Sequence, residues 1–242
     1  MSTHPRSASP KAYQAVLDAI EADLRAGRLR VGEQLPGERA LAEQHGISRA
    51  SVRDAIRILD VMGVVRTSTG SGPKAGAVLI SEPAAGISTA LRMHVASASL
   101  GVEDIVQTRI LLETWAARAA SELAAEPVAG AEGILAEAAR LVEGMEDDGV
   151  GRQEFHDLDA RFHVVLASLS GNAVITAMME SLRLSIRDYV SEAMSSRGEW
   201  DSVASVLKEQ HRRILAAVAE RRGDDAAELL REHIEWFHRE VG

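Results

Sequence analysis

The chain has 242 residues, 46% of them hydrophobic and 26% charged, with no cysteine and a formal net charge of −9. That balance belongs to an ordinary globular protein with room for one large domain or two small ones; it excludes a disordered chain, a collagen-like repeat, a disulfide-stapled miniprotein and any thiolate-based site. The apolar runs fall well short of the roughly 20 residues needed to cross a bilayer, and residues 1–10 lack the apolar core of a secretory signal. Both features point to the cytoplasm.

The charge is unevenly spread. Residues 1–80 hold 11 Lys+Arg against 8 Asp+Glu, a net of +3, whereas residues 81–242 hold 16 against 28, a net of −12. A basic head on an acidic body suggests that only the head meets a polyanion, although chance clustering gives the same numbers.

Residues 11–26 predict a helix whose apolar stripe is Tyr13, Val16, Leu17, Ile20 and Leu24. Gly27 and the Gly32, Pro36 and Gly37 cluster break the pattern. A short helix over 38–45 follows and ends at Gly46. Ser48 is placed to cap the next helix, which runs to about Met62 with Val52, Ala55, Ile56 and Leu59 on one face. Gly63 stops it, and the β-branched runs 64–67 and 78–80, set around a glycine-rich loop at 70–76, predict a hairpin. Residues 81–86 read as a linker. Beyond it the period is helical nearly throughout, over 87–99, 102–125, 128–147, 151–169, 172–194, 200–222 and 224–240. The expected fold class is mainly α: a winged helix-turn-helix over 1–80 (three helices and a small β-hairpin wing), then an all-α antiparallel bundle of six or seven helices over 87–242.

Helix, short turn, helix is the plan in which the second helix enters the major groove of DNA. On helix 48–62 the face opposite the apolar stripe carries Arg49, Arg53 and Arg57 at i, i+4, i+8. Arginine is suited to bidentate contact with guanine edges and phosphate. The plainer reading is a solvated face whose arginines pair with Asp54 and Asp60.

The segments Leu35-Pro36-Gly37-Glu38-Arg39-Ala40-Leu41-Ala42 and Gly46-Ile47-Ser48-Arg49-Ala50-Ser51-Val52-Arg53-Asp54-Ala55, followed by the Gly70 loop, resemble the winged-helix head of the GntR family of bacterial transcription regulators. The resemblance covers about residues 11–80. It implies that Arg39, Arg49 and Arg53 contact DNA and that Gly70 leads the wing into the minor groove; Ser48 and Ser51 are candidate phosphate donors at the helix start. Gly37 stands where serine is usual, and Ala50-Ser51 where Thr-Pro is frequent. Those departures bear on which operator is read. One such module buries too little surface for tight specific binding, so a homodimer on double-stranded operator DNA is expected.

The body holds ionisable groups at apolar positions. Helix 151–169 has the stripe Phe155, Leu158, Phe162, Val165, Leu166 and Leu169, with Asp159 and His163 one turn apart on its inner edge. His211 fills the slot between Leu207 and Ile214, and His233 the slot between Leu229/Leu230 and Trp236/Phe237. Burying such groups is costly unless they are paired or bind a metal. A single buried histidine is usually just hydrogen-bonded to a carbonyl. Three at stripe positions, with an i, i+4 aspartate, point to a ligand set for a borderline divalent ion such as Zn²⁺, with Ni²⁺, Mn²⁺ or Fe²⁺ open alternatives. His4, His45, His94, His156 and His238 lack this placement.

The runs Arg109–Glu113, Asp159–His163, Glu209–Ile214 and Ala226…His233-Ile234 resemble the FCD effector domain of the FadR subfamily, in order across about residues 87–240. That resemblance implies an antiparallel bundle in which Asp159, His163, His211 and His233 hold a metal that helps bind a small organic acid. It also places Arg109 against the effector carboxylate, although its spacing equally permits an internal ion pair with Glu113. Asn172 is a further candidate for the pocket lining. The implied protein is a ligand-responsive regulator, most often a repressor in such a family. Two alternatives stand beside it: a metal-dependent hydrolase using the His/Asp site, and a regulator whose metal is purely structural. The absence of an HExxH pairing and the presence of a DNA-binding head argue against the enzyme.

Overall fold

In the computed structural model, which describes residues 12–68, 76–122, 130–147, 149–195 and 200–241, the first apolar stripe forms helix α1 (Ala12–Arg25), with Val16 and Ile20 buried and Tyr13, Leu17 and Leu24 packed at the edge of the same core. Two short helices follow, α2 (Glu38–His45) and α3 (Arg49–Val61). Gly46 ends α2 at φ 64°, a left-handed conformation that costs glycine little, and its N–H returns to the Ala42 carbonyl. Val52, Ala55, Ile56 and Leu59 all face inward from α3. Gly63, at φ 70°, turns the chain where any Cβ would run into the Glu82 carbonyl.

Strands β1 (Val65–Ser68) and β2 (Gly76–Leu79) pair antiparallel in the register Val65 with Leu79 and Ser68 with Gly76. The tip of this hairpin, including Gly70, Thr69 and Lys74, lies outside the described residues. Residues 33–35 join the hairpin as an extra edge: Leu35 N–H donates to Ala77 O and Leu79 N–H to Glu33 O, both at 2.8 Å, with Gln34 bridged to Val78. The sequence reads this segment only as a glycine- and proline-broken loop, because three residues are too few to show a period.

The chain divides into two compact units, Met1–Ile87 and Ser88–Gly242, and the division falls within helix α4 (Pro83–Ala96). That helix starts four residues before the expected position and takes in four of the six residues of the predicted 81–86 linker. Proline is favoured in a first helical turn, where its missing N–H would have no partner, and Ala84-Ala85 continue the helix readily.

Among its described residues the second unit has helices as its only regular elements: the rest of α4, then α5 (Val102–Glu122), α6 (Ala131–Glu146), α7 (Arg152–Ser168), α8 (Ala173–Ser195), α9 (Trp200–Ala219) and α10 (Gly223–Val241). The architecture is the mainly α one that the sequence predicts. Helix α10 packs chiefly on α5, α7 lies against α6 and α8, and α9 lies against α10 and α6. Phe155 and Phe162 of α7 are fully buried in the main core with Leu207 and Ile214 of α9 and Leu230 of α10. Each such ring contributes about 1.5–3 kcal/mol of burial free energy. Among the described residues no helix is long and apolar enough to cross a membrane.

Candidate functional site

In the first unit, Ser48 begins α3. Its Oγ accepts the Ser51 N–H at 3.1 Å and lies 3.0 Å from the Ser51 hydroxyl, so both serines sit at the helix N-terminus where backbone N–H groups favour anions. Arg49, Arg53 and Arg57 lie exposed along α3, and Arg39, 83% exposed, stands at the start of α2. The anticipated partners are only partly the real ones. Arg57 lies 3.7 Å from Asp54, but Asp60 instead accepts from the Thr67 N–H and hydroxyl in the wing. Arg53 makes a two-pronged bond to Glu38 of α2, Nε to Oε1 at 3.2 Å and Nη2 to Oε2 at 3.0 Å, with Arg49 3.6 Å away. The Arg53 hydrogen bonds hold the Glu38 carboxyl below its usual range against a small opposing effect of burial. Glu38 was not singled out from the sequence, since it lies in another helix, 15 positions before its partner.

In the second unit, five helices converge on one buried cluster. Helix α7 brings Asp159 and His163, α9 brings His211 and α10 brings His233; one ligand atom from each lies within 4.8 Å of all the others. The three imidazoles are buried and the Asp159 side chain is 13% exposed. His211 Nε2 stands 2.9 Å from Asp159 Oδ1, and His163 Nε2 3.5 Å. Behind them lies a supporting layer. Glu113 of α5 meets His163 Nδ1, and the Gln210 amide oxygen of α9 meets His233 Nδ1 at 2.8 Å.

These contacts fix the tautomers. Burial alone would raise the Glu113 carboxyl, but His163, Arg109 and Arg183 outweigh it and hold the group at about 2. Glu113 is therefore an anion that only accepts, and His163 donates from Nδ1. His233 likewise donates from Nδ1 to the Gln210 oxygen. A neutral His163 then turns the lone pair of Nε2 inward beside that of His233, and the two Nε2 atoms lie 3.1 Å apart. Two lone pairs at that distance repel unless a cation stands near both. His211 sharpens the point: among the described residues its buried Nδ1 has no hydrogen-bond partner, and its Nε2 faces the Asp159 carboxylate at 2.9 Å without the alignment of a hydrogen bond. Burial lowers the pKa of His211, and burial with the neighbouring His211 and His163 lowers that of His233 well below the usual value, so both rings are neutral and able to ligate near pH 7. The donor set fits a divalent metal ion, with the outer hydrogen bonds that orient metal-binding histidines.

Beside the ligands lies a cavity of about 320 Å³, lined in part by Arg109, Asp159, His156 and Arg183. Arg109 reaches it from α5 although only 4% exposed, and it also makes the internal pair: Nε donates to Glu113 Oε1 at 3.1 Å. The two readings of Arg109 are therefore compatible. Burial lowers its pKa to about 10, which leaves it charged. Arg183 of α8 grips Asp159 and, despite the opposing effect of burial, holds that carboxyl well below its usual range.

Asn172 is not brought to the cavity lining. It is exposed and caps α8, its Oδ1 accepting the N–H groups of Val174 and Ile175 at 3.1 and 3.2 Å. An asparagine after glycine at a helix start carries that signal on its face. Arg183, Gln210 and His156 were not foreseen. His156 was set aside as off the stripe, yet its partly buried ring packs between Trp200 and Phe237 and lines the cavity.

A model of the FCD domain matches residues 104–235, more than half of the chain, and a model described as bacterial regulatory proteins, gntR family, matches residues 12–74. The chain belongs to the GntR family. The HTH-type transcriptional regulator LutR of Bacillus subtilis is 30% identical over 86% of this chain and 91% of its own. The Uxu operon regulator of Haemophilus influenzae is 25% identical over 93% of this chain and 80% of its own. A solved Streptococcus agalactiae GntR structure superposes with a TM-score of 0.61, covering 94% of this chain and 99% of that one at 23% identity, a likeness of fold. These relatives are transcription regulators. The chain is a GntR-family, ligand-responsive regulator and not the hydrolase weighed as its alternative.

Proposed function

We propose that this GntR-family protein is a metal-dependent repressor that acts as a homodimer and answers to a small organic acid. Asp159, His163, His211 and His233 would hold the divalent ion, with Zn²⁺ best matched to three imidazoles and one carboxylate and Ni²⁺, Mn²⁺ and Fe²⁺ served by the same donors. The observation that carries the reading is the pair of buried His163 and His233 Nε2 atoms 3.1 Å apart, beside a cavity lined by Arg109 and Arg183. When bound, the ion supplies a Lewis-acidic centre for a carboxylate. Arg109 pairs with the acid, and Glu113 keeps Arg109 and the His163 ring in place. In the head, Arg39, Arg49 and Arg53, with Ser48 and Ser51 at the start of α3, meet the operator, and Gly70 leads the wing. A ligand shifts operator affinity only by its differential affinity for the two states of the regulator.

Metal analysis of the full chain, expected to give about one equivalent, tests the ligand set, and His211→Ala should lose most of it. Arg53→Ala should weaken operator binding about tenfold or more while affecting random DNA less. Light scattering should give a dimer. Stripping the metal should abolish the effect of an organic acid on operator binding, and Arg109→Ala should blunt that effect with the metal retained. If the metal-free protein answers the same acid with unchanged potency, the ion is structural and the proposal fails.

A further inference from the structure

The cavity is not uniformly polar, and the distribution of its lining narrows the class of acid it takes. Its buried charged groups gather beside the histidines: Arg183 bound to Asp159, and Arg109, whose terminal nitrogens make no hydrogen bond among the described residues. These spare donors of a nearly inaccessible guanidinium call for an anionic head group. At the exposed edge Gln153 Nε2 donates to Asp157 Oδ1 at 3.4 Å and Arg161 Nη2 to Glu137 Oε1 at 2.7 Å, while His156 Nε2, buried and without a hydrogen-bond partner among the described residues, offers a ligand body one polar contact. Much of the remaining described lining is hydrocarbon. Ala160, Leu184, Ile186 and Phe237 come from α7, α8 and α10, and the Phe237 ring stands 6.1 Å from that of His156, centroid to centroid.

We propose that the effector is a small acid with an apolar body, aromatic or branched aliphatic, and not a polyhydroxylated sugar acid. Its carboxylate lies at the Arg109 and Arg183 end and its hydrocarbon lies against Leu184, Ile186 and Phe237. This rests on the reading of the cavity as the effector site. A volume of about 320 Å³ lies at the small end of ligand pockets, so the body is that of a small acid. A chain of hydroxyls in the same place would exchange water for carbon walls and, beyond the one that His156 Nε2 could meet, leave its donors unmet.

Calorimetric titration of the full-length, Zn²⁺-loaded protein tests this with acids of equal charge and similar size: phenylacetate and 4-methylpentanoate against arabinonate. The apolar acids should bind at least about tenfold more tightly. Phe237→Ala and the more exposed Leu184→Asn should each reduce that preference; the second leaves the core untouched if the first unfolds. Arabinonate binding as tightly as phenylacetate, or a preference unmoved in both folded variants, overturns the inference while leaving the cavity an acid site. Failure of all three acids to bind the loaded, folded protein overturns the cavity reading, and the inference with it.

Discussion

The two units each hold an arginine–carboxylate pair, and the pairs are opposites. In the head, Arg53 and Glu38 meet in the open, on helices whose arginines all face solvent. In the bundle, Arg109 and Glu113 are 4% and 2% exposed, and the carboxylate also holds a histidine. Water competes with the first pair, so it can be exchanged for a phosphate or a base edge at little cost. The second replaces water that is no longer there, so removing one partner strands the other. Exposure makes one arginine available to any polyanion; burial makes the other selective for whatever enters the cavity.

Breaking the buried pair should have the largest effect. Glu113→Ala leaves Arg109 and His163 without their shared anion and should lower stability by about 3–5 kcal/mol, read by chemical denaturation. Metal affinity should fall roughly 10–100-fold in the same variant, through loss of the His163 partner. Loss of less than about 1 kcal/mol would place Glu113 outside the supporting layer.

Acid should act next, and on the same unit. His156, His211 and His233 are held below the usual histidine value, chiefly by burial, so the unfolded chain takes up protons first as pH falls. Their stabilisation is complete above about pH 6.5 and is lost as pH drops from there toward the folded values, at up to about 1.4 kcal/mol per group per pH unit. Unfolding of the metal-free protein followed from pH 7.5 to 5 should show this fall, and bound metal should resist it until protons displace the ion. A flat profile would contradict the burial of neutral rings.

The exposed pair should matter least to stability. Glu38→Ala should leave the unfolding midpoint of the head unchanged, yet strengthen binding to random DNA by removing a negative charge and reduce operator preference by freeing Arg53 from its anchor. A clear drop in that midpoint would make the pair structural and erase the contrast.

The same contrast explains what could be read from the sequence. Asp159, His163, His211 and His233 are legible because each sits where the stripe of its own helix demands an apolar residue. Arg183 is not: its helix buries Met179, Leu182 and Ile186, and an arginine between them reads as a solvated neighbour until Asp159, 24 positions away, is placed against it. Glu38 is hidden for the same reason. Asn172 went the other way, its local capping chemistry passed over for a role in a pocket it does not line. Periodicity reports what one element does to itself, and the partners that complete these charged groups come from others.

His163 and His233 are 70 residues apart, and no two of the three histidines share a helix. A centre assembled from such distant positions cannot nucleate folding, because loop closure must come before its contacts form. Capture of an ion by the proposed site would therefore be a late event. At about 5–20 residues per second, synthesis of the stretch between Ile87 and His233 takes roughly 7–30 s. Through that interval the nascent chain holds every residue of the head but lacks the last of the proposed metal ligands.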